Sequence, residues 1–218
     1  MEAVIFDMDG VIVDSERHWG ELEEGFIFPE AVDSDAATAA EIAGMNVHDA
    51  YDYLADEYGV TVDESTFLDL YQDAAEKLYT EKAEMMDGLP DLLDTLDERG
   101  TRLALASSSP PAWIQFVMDR FDLERYFEEI VSGDEIESES KPAPDIYLHT
   151  ASLLDVSPSA CAAVEDSTHG THAAKAADMH CIGYRTVANE DQDLSEADEV
   201  ASGSDALRDA LLGLTTPA

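Results

Sequence analysis

Residues 3–14 read AVIFDMDGVIVD. Four apolar residues run into Asp7 and Asp9, two carboxylates separated by Met8, and then into Gly10. A short apolar run bounded by polar turn residues predicts a buried strand of a parallel sheet. Two carboxylates at its end repel each other unless a cation sits between them. The stretch therefore admits two readings: an acidic turn, or a metal site at which one carboxylate does chemistry. A calcium-binding loop is excluded, because the glycine stands fourth rather than sixth and His18 occupies the place of the closing glutamate.

Further apolar runs follow at 103–106 (LALA), 161–164 (CAAV) and 181–184 (CIGY), with weaker candidates at 129–131 and 199–201. Between them lie stripes of helical spacing: Leu89, Leu92, Leu93 and Leu96; Ile114, Val117, Met118 and Phe121; Leu207, Ala210, Leu211 and Leu214. Strands alternating with helices predict right-handed crossovers and an α/β fold, a doubly wound, mostly parallel sheet covered on both faces. Residues 15–84 break the alternation. They carry helical stripes, one from Val47 to Tyr58 and a longer one from Phe67 to Tyr79, and no clear strand. This predicts an α-helical domain at 15–84 inserted into an α/β core of residues 1–14 and 85–218.

With 218 residues, 45% of them hydrophobic, the chain has the means to bury a sizeable core. Fifty acidic residues against eleven basic ones give a formal net charge of −39. The acid is spread along the whole length, which predicts a solvated acidic surface whose self-repulsion salt relieves. A salt-adapted (halophilic), cytoplasmic protein is the expectation. The same charge argues against nucleic acid and anionic membrane as partners, and no basic stripe opposes it. No apolar run approaches the ~20 residues of a membrane-spanning helix, and the N-terminus shows no signal-peptide pattern. Cys161 and Cys181 lie in apolar stretches and are expected to be buried, reduced thiols.

In a parallel α/β sheet, ligands bind beyond the carboxyl ends of the strands. Asp7 and Asp9 follow the first run, Ser107, Ser108 and Ser109 the LALA run, and Glu165, Asp166 and Ser167 the CAAV run; Lys141 stands in ESKPAPDIY. Oxygen ligands alone suit a hard cation, Mg²⁺ above all, which shares itself with a phosphate. A carboxylate beside it can attack phosphorus, and a second can protonate the leaving oxygen and then activate water. Ser107 and Lys141 would hold the phosphoryl oxygens. Taken alone, DMDG is more often an acidic turn, SSS a loop, EDS a turn before a helix cap, and Lys141 could be a surface lysine; the four together, in order and at strand ends, favour the site.

FDMDGVIVDSE, SSS, ESKPAPDIY and VEDSTHGTHAAKAADM resemble the four motifs of the haloacid dehalogenase-like hydrolase superfamily. The likeness covers 1–14 and about 85–218, whereas 15–84 is similar only in size, helical character and a loose GMNVHDAYDYL segment. Within the superfamily the chain is similar to the branch of phosphoglycolate phosphatase, β-phosphoglucomutase and the sugar-phosphate phosphatases. The resemblance implies a Rossmann-like core with a helical cap, Asp7 as nucleophile and metal ligand, and Asp9 as general acid/base with its backbone carbonyl on the metal. It also implies Ser107, Ser108 and Lys141 as phosphate-binding residues with Gly10 turning the backbone close by. Asp166 would be a further metal ligand, and Glu165 a direct ligand or a support behind one. Relatives that cleave carbon–halogen or carbon–phosphorus bonds lack an aspartate at the Asp9 position, so phosphate-ester chemistry is implied. Two positions depart from the pattern: Ser140 replaces the usual glycine before the motif lysine, and Asp178 replaces the glycine of Ala-Gly-Met. Asp tolerates the left-handed conformation of a helix end, so a modest stability cost is expected there.

Cap residues set specificity in this family, which makes Glu16, Arg17, His18, Trp19 and Met45 the candidates to face a substrate. The mutase of the family has a basic residue shortly after the cap glycine; here Gly44 is followed by Met45, Asn46 and Val47, with only His48 beyond. A phosphatase of a small phosphorylated metabolite is therefore expected, as a monomer or weak homo-oligomer. A phosphosugar mutase is the alternative, and a non-catalytic metal-dependent binding protein a more distant one.

Overall fold

The computed structural model describes residues 1–34, 36–42, 47–136 and 139–215. Gly44 and Met45 lie outside the described residues. The chain runs β1 (Ala3–Phe6), β2 (Val13–Asp14), α1 (Glu16–Leu22), α2 (Phe28–Ala31), α3 (Ala39–Ile42), α4 (Val47–Glu57), α5 (Glu64–Lys77), β3 (Glu84–Met85), α6 (Leu89–Glu98), β4 (Arg102–Ser107), α7 (Pro111–Phe121), β5 (Glu129–Ser132), α8 (Asp145–Leu153), β6 (Cys161–Glu165), α9 (Thr168–Ala176), β7 (His180–Arg185), β8 (Glu199–Ser202) and α10 (Ser204–Leu214). Two compact units result, Met1–Asp14 with Glu84–Ala218, and Ser15–Ala83.

In the α/β unit, six parallel strands lie in the order β5-β4-β1-β6-β7-β8. The apolar runs become strands because their residues are buried on both faces; β1 and β6 have no exposed position. Alternation splits the side chains. Ala3, Ile5, Ala104, Ala106 and Ala163 cluster with Ile146, Tyr147 and Leu154 from the α8 region and Ala173 and Ala174 of α9. The leucines of α6 and α10 lie outside that cluster, and these two helices pack against each other and on β4, β7 and β8. From β1 the connections run outward to β4 and β5 on one side, then return to β6, β7 and β8 on the other. The reversal at β1 opens a crevice beyond its carboxyl end, where Asp7 stands.

A small antiparallel pair, β2 with β3, joins Val13 to Met85 and Asp14 to Glu84. Glu84, expected in the helical insert, belongs here instead. Two-residue strands are too short to leave a periodic signal in sequence, and only pairing defines them. The unit Ser15–Ala83 contains α1–α5 and two π-helical turns, Glu23–Ile27 and Leu78–Lys82. Phe67, Tyr71, Ala74, Ala75, Leu78 and Tyr79 are buried, as the α5 stripe predicts. Asp63 caps α5 by accepting from the Thr66 amide at 2.9 Å.

Candidate active site

Asp7 leaves β1 with its amide donating to the Val164 carbonyl of β6 at 3.1 Å, and the chain then turns at once. Met8 is buried, its carbonyl accepting from Ile12 at 2.8 Å and Val13 at 3.1 Å, and Gly10 donates to the Val13 carbonyl at 2.8 Å. Gly10 has φ +75°, and a Cβ there would lie 1.9 Å from Asp166 Oδ2. Only glycine permits both the turn and that approach. Gly170 of α9 makes room in the same way, since a Cβ on it would lie 1.9 Å from Glu165 Oε2. Glu165 is the last residue of β6 and Asp166 the next; Ser167 then caps α9, accepting from the Gly170 amide at 3.0 Å.

These turns gather three buried carboxylates. Asp7 is 8% exposed, Glu165 1% and Asp166 7%, and one oxygen of each lies within 4.8 Å of the others. Lys141 reaches them from the loop before α8: its Nζ donates to Asp7 Oδ1 and to Glu165 Oε1, both at 2.6 Å, and to the Ala106 carbonyl at 3.3 Å. The buried Tyr147 hydroxyl donates to Glu165 Oε1, and its ring centroid lies 5.2 Å from the Lys141 ammonium. Burial pushes the Asp7 carboxyl up to about 8, with the Glu165 and Asp9 charges adding to the rise and Lys141 opposing it. Burial opposes charge on Lys141 too, yet Asp7 and Glu165 hold its ammonium above the usual lysine range. With Asp7 ionised, the one ammonium would leave two of the three carboxylate charges uncompensated, so an ionised Asp7 calls for a further cation.

Asp9 lies apart from this cluster. Its Oδ2 accepts from Ser109 Oγ at 2.7 Å, and Ser109 is fixed in turn by its amide on Ser107 Oγ at 3.0 Å and by Ser132 Oγ on its carbonyl at 2.8 Å. Ser107 is buried at the end of β4, whereas Ser108 is exposed. The structure thus brings together Asp7, Asp9, Gly10, Ser107, Lys141, Glu165 and Asp166 at one edge of the sheet. Sequence reasoning gave no role to Ser109, Tyr147, Asn189 or Gln192, although Tyr147 stood inside the quoted ESKPAPDIY segment. Asn189 is buried and donates to the Asp166 carbonyl at 2.7 Å, from a loop with no apolar pattern to mark it.

The other candidates belong to the helical unit. Glu16 is exposed on α1, and His18 Nε2 accepts from Arg17 Nε at 3.2 Å. Trp19 stacks on Tyr71 with centroids 5.9 Å apart and meets Tyr79 edge-on at 6.3 Å, so it packs the interior of its own unit. Cys161 and Cys181 are buried and free, and burial pushes their thiols up to about 11 and 12. Among the described residues no helix is long and apolar enough to cross a membrane.

The family model described as "Haloacid dehalogenase-like hydrolase" matches residues 4–184. The phosphorylated carbohydrates phosphatase of Thermotoga maritima is 31% identical over 206 residues, covering 92% of this chain and 93% of its own. The β-phosphoglucomutase of Bacillus subtilis is 30% identical over 196 residues, covering 84% and 83%. A solved hydrolase of the same family from Deinococcus radiodurans, holding phosphate and sodium, superposes with a TM-score of 0.75 at 26% identity, over 100% of this chain and 99% of that one.

Proposed function

The chain belongs to the haloacid dehalogenase-like hydrolases, and on that premise we propose that it is a Mg²⁺-dependent phosphatase of small phosphate monoesters, sugar phosphates or phosphoglycolate-like compounds. The observation that carries this reading is the buried cluster of Asp7, Glu165 and Asp166 around Lys141 at the end of β1. The residues fit a hard divalent cation: three oxygen donors within 4.8 Å, a deficit of positive charge, and a carboxyl that burial drives toward its neutral form. Asp7, Asp166, Glu165 and the Asp9 carbonyl are the groups to hold it. When bound, Mg²⁺ supplies positive charge that keeps Asp7 ionised and offsets charge on the phosphoryl oxygens.

Asp7 then attacks phosphorus, forming an Asp7–phosphate bond while the bond to the ester oxygen breaks. Asp9, aimed by Ser109, gives its proton to that departing oxygen. In the second half, Asp9 takes a proton from water as the water attacks the aspartyl-phosphate, releasing inorganic phosphate and restoring Asp7. Lys141, Ser107 and the Ser108 segment bind the phosphoryl oxygens and offset their charge.

Charge favours hydrolysis over mutase chemistry, although the similarity to a β-phosphoglucomutase keeps the mutase as the second reading. A mutase must retain a bisphosphate, and the unit at 15–83 carries eighteen acidic residues against three basic ones. Those three are engaged already: Arg17 on His18, Lys77 over the Phe26 ring at 3.6 Å, and Lys82 on Glu21 at 3.6 Å. That unit serves as the cap that selects substrate. The acidic surface is an adaptation to a salt-rich cytoplasm, and the protein works as a monomer or weak homo-oligomer.

The test is a panel of phosphorylated sugars, sugar alcohols, phosphoglycolate and nucleotides, with Mg²⁺ in molar KCl, following both released phosphate and isomerised sugar phosphate. Mg²⁺-dependent phosphate release is expected. Isomerisation without release establishes the mutase, and no turnover of any ester overturns the enzyme reading.

A further inference from the structure

We propose that the loop after β7, residues 186–193, is a strap that aims the Asp166 carboxylate, with Asn189 and Gln192 as positioning residues for metal binding. Asn189 is 3% exposed. Its Nδ2 donates to the Asp166 carbonyl at 2.7 Å and to the Tyr184 carbonyl at 2.8 Å, and lies 3.5 Å from Asp166 Oδ2. Its Oδ1 accepts from the Thr186 amide at 2.8 Å. One neutral amide therefore ties the residue after β6 to the end of the neighbouring strand β7.

Gln192 makes the second attachment. Its Oε1 accepts from the Thr168 amide at 2.9 Å and from Thr168 Oγ1 at 3.0 Å, while the Asp193 amide donates to that same hydroxyl at 2.9 Å. Asp166 is thus bracketed, its own carbonyl held by Asn189 and the amide two residues on held by Gln192. Arg185 anchors the strap from β7, donating to the Asn189 carbonyl and to the Gln192 carbonyl at 2.9 Å.

The choice of an amide has a physical reason. Asp166 sits beside Asp7 and Glu165, and repulsion from them favours swinging its carboxylate out toward water. A lysine or arginine on Asp166 would hold it in place but would also neutralise the charge that a cation needs. Asparagine and glutamine restrain the backbone around the carboxylate and leave its charge intact. Groups that orient a metal-binding side chain in this way commonly change metal affinity about 10–100-fold when removed.

The inference rests on Asp166 being a metal ligand, and the experiment separates the two. Mg²⁺ alone is titrated by calorimetry into the full-length protein in molar KCl, for wild type, Asn189→Ala and Gln192→Ala, with thermal melts in EDTA alongside. Asn189→Ala is expected to weaken Mg²⁺ binding by about 10-fold or more, and Gln192→Ala by about 3-fold, a smaller loss because Gln192 holds Thr168 and not Asp166 itself. A role confined to folding would lower the melting temperature and leave the Mg²⁺ dissociation constant unchanged, which overturns the strap. Gln192 is partly exposed, so its truncation leaves no buried void, and its dissociation constant decides alone if Asn189→Ala does not fold. Absence of Mg²⁺ binding by the wild type overturns the metal reading itself, and the strap with it.

Discussion

Residues 15–83 carry eighteen acidic residues against three basic, and the α/β unit thirty-two against eight, so both hold a heavy excess of negative charge. They dispose of it differently. Among the described residues, the three buried carboxylates, Asp7, Glu165 and Asp166, are all in the α/β unit. In the helical unit the acids among the described residues lie at the surface, and the interior is aromatic: Trp19, Phe67, Tyr71 and Tyr79 pack on one another. Its most enclosed acid, Glu23, accepts from the Tyr71 hydroxyl at 3.0 Å and has its carboxyl raised by burial. Exposed acid is relieved by diffuse screening, which any salt provides. Buried acid needs a particular cation at a particular place, and that difference separates a solvation device from a reactive centre.

The strongest test of the contrast is Asp7→Asn. It should lower phosphatase turnover by at least about 10³-fold, measured by phosphate release, while circular dichroism shows the fold retained; a variant with near-normal turnover breaks the assignment. Next, Lys141→Ala strands three carboxylates without their buried ammonium. It should destabilise the EDTA-treated protein by about 3 kcal/mol in urea unfolding, whereas Lys82→Ala, on an exposed pair with Glu21 at 3.6 Å, should cost less than about 1 kcal/mol. Equal effects of the two would erase the distinction between the units.

The pH dependence follows from Asp7. With a native pKa of about 8 against an ordinary aspartate value of 3.8, the folded chain retains between those values a proton that the unfolded chain has lost. Stability contributed by this group therefore falls as pH rises across that window. In EDTA the melting temperature of wild type should decline from pH 5 to 8 relative to Asp7→Asn. Mg²⁺ must displace the proton, so its stabilising shift should be larger at pH 8 than at pH 5. A Mg²⁺ shift independent of pH would contradict the raised carboxyl. The smallest expected effect lies away from the site. Asp178 has φ 61° at the end of α9, and Asp178→Gly should stabilise by about 0.5–1 kcal/mol, read as a melting temperature about 1–4 °C higher.

Much of the α/β unit is legible in the chain because a strand buried on both faces must be apolar throughout, so AVIF, LALA and CAAV announce themselves. Their ends then mark the site, since there each apolar run gives way to polar residues that stay buried. The aspartate at 178 is legible for a related reason: it takes the left-handed backbone expected of that position. The partners of the site residues are not legible in this way. Ser109 meets Asp9 across 100 positions, Asn189 meets Asp166 across 23 and Tyr147 meets Glu165 across 18. Each meeting depends on which strands become neighbours, and no local pattern encodes that. Trp19 shows the same limit in the helical unit. Its place in the cap made it a candidate to face a substrate; helical spacing does not say what meets its ring, which packs on Tyr71 and Tyr79.

By itself, then, the sequence determined the strand-and-helix alternation, the interruption at 15–84, and the chemical character of each strand end, because hydrophobic periodicity and residue chemistry are local properties. Tertiary structure alone decided that DMDG opens onto a buried carboxylate cluster and is more than an acidic turn. The order β4-β1-β6 sets Asp7 against Glu165, Asp166 and Lys141 in a buried cluster, while a serine from the turn after β4 draws Asp9 aside. Burial raises the electrostatic cost of each charge, and only the three-dimensional neighbourhood determines which charges must share it.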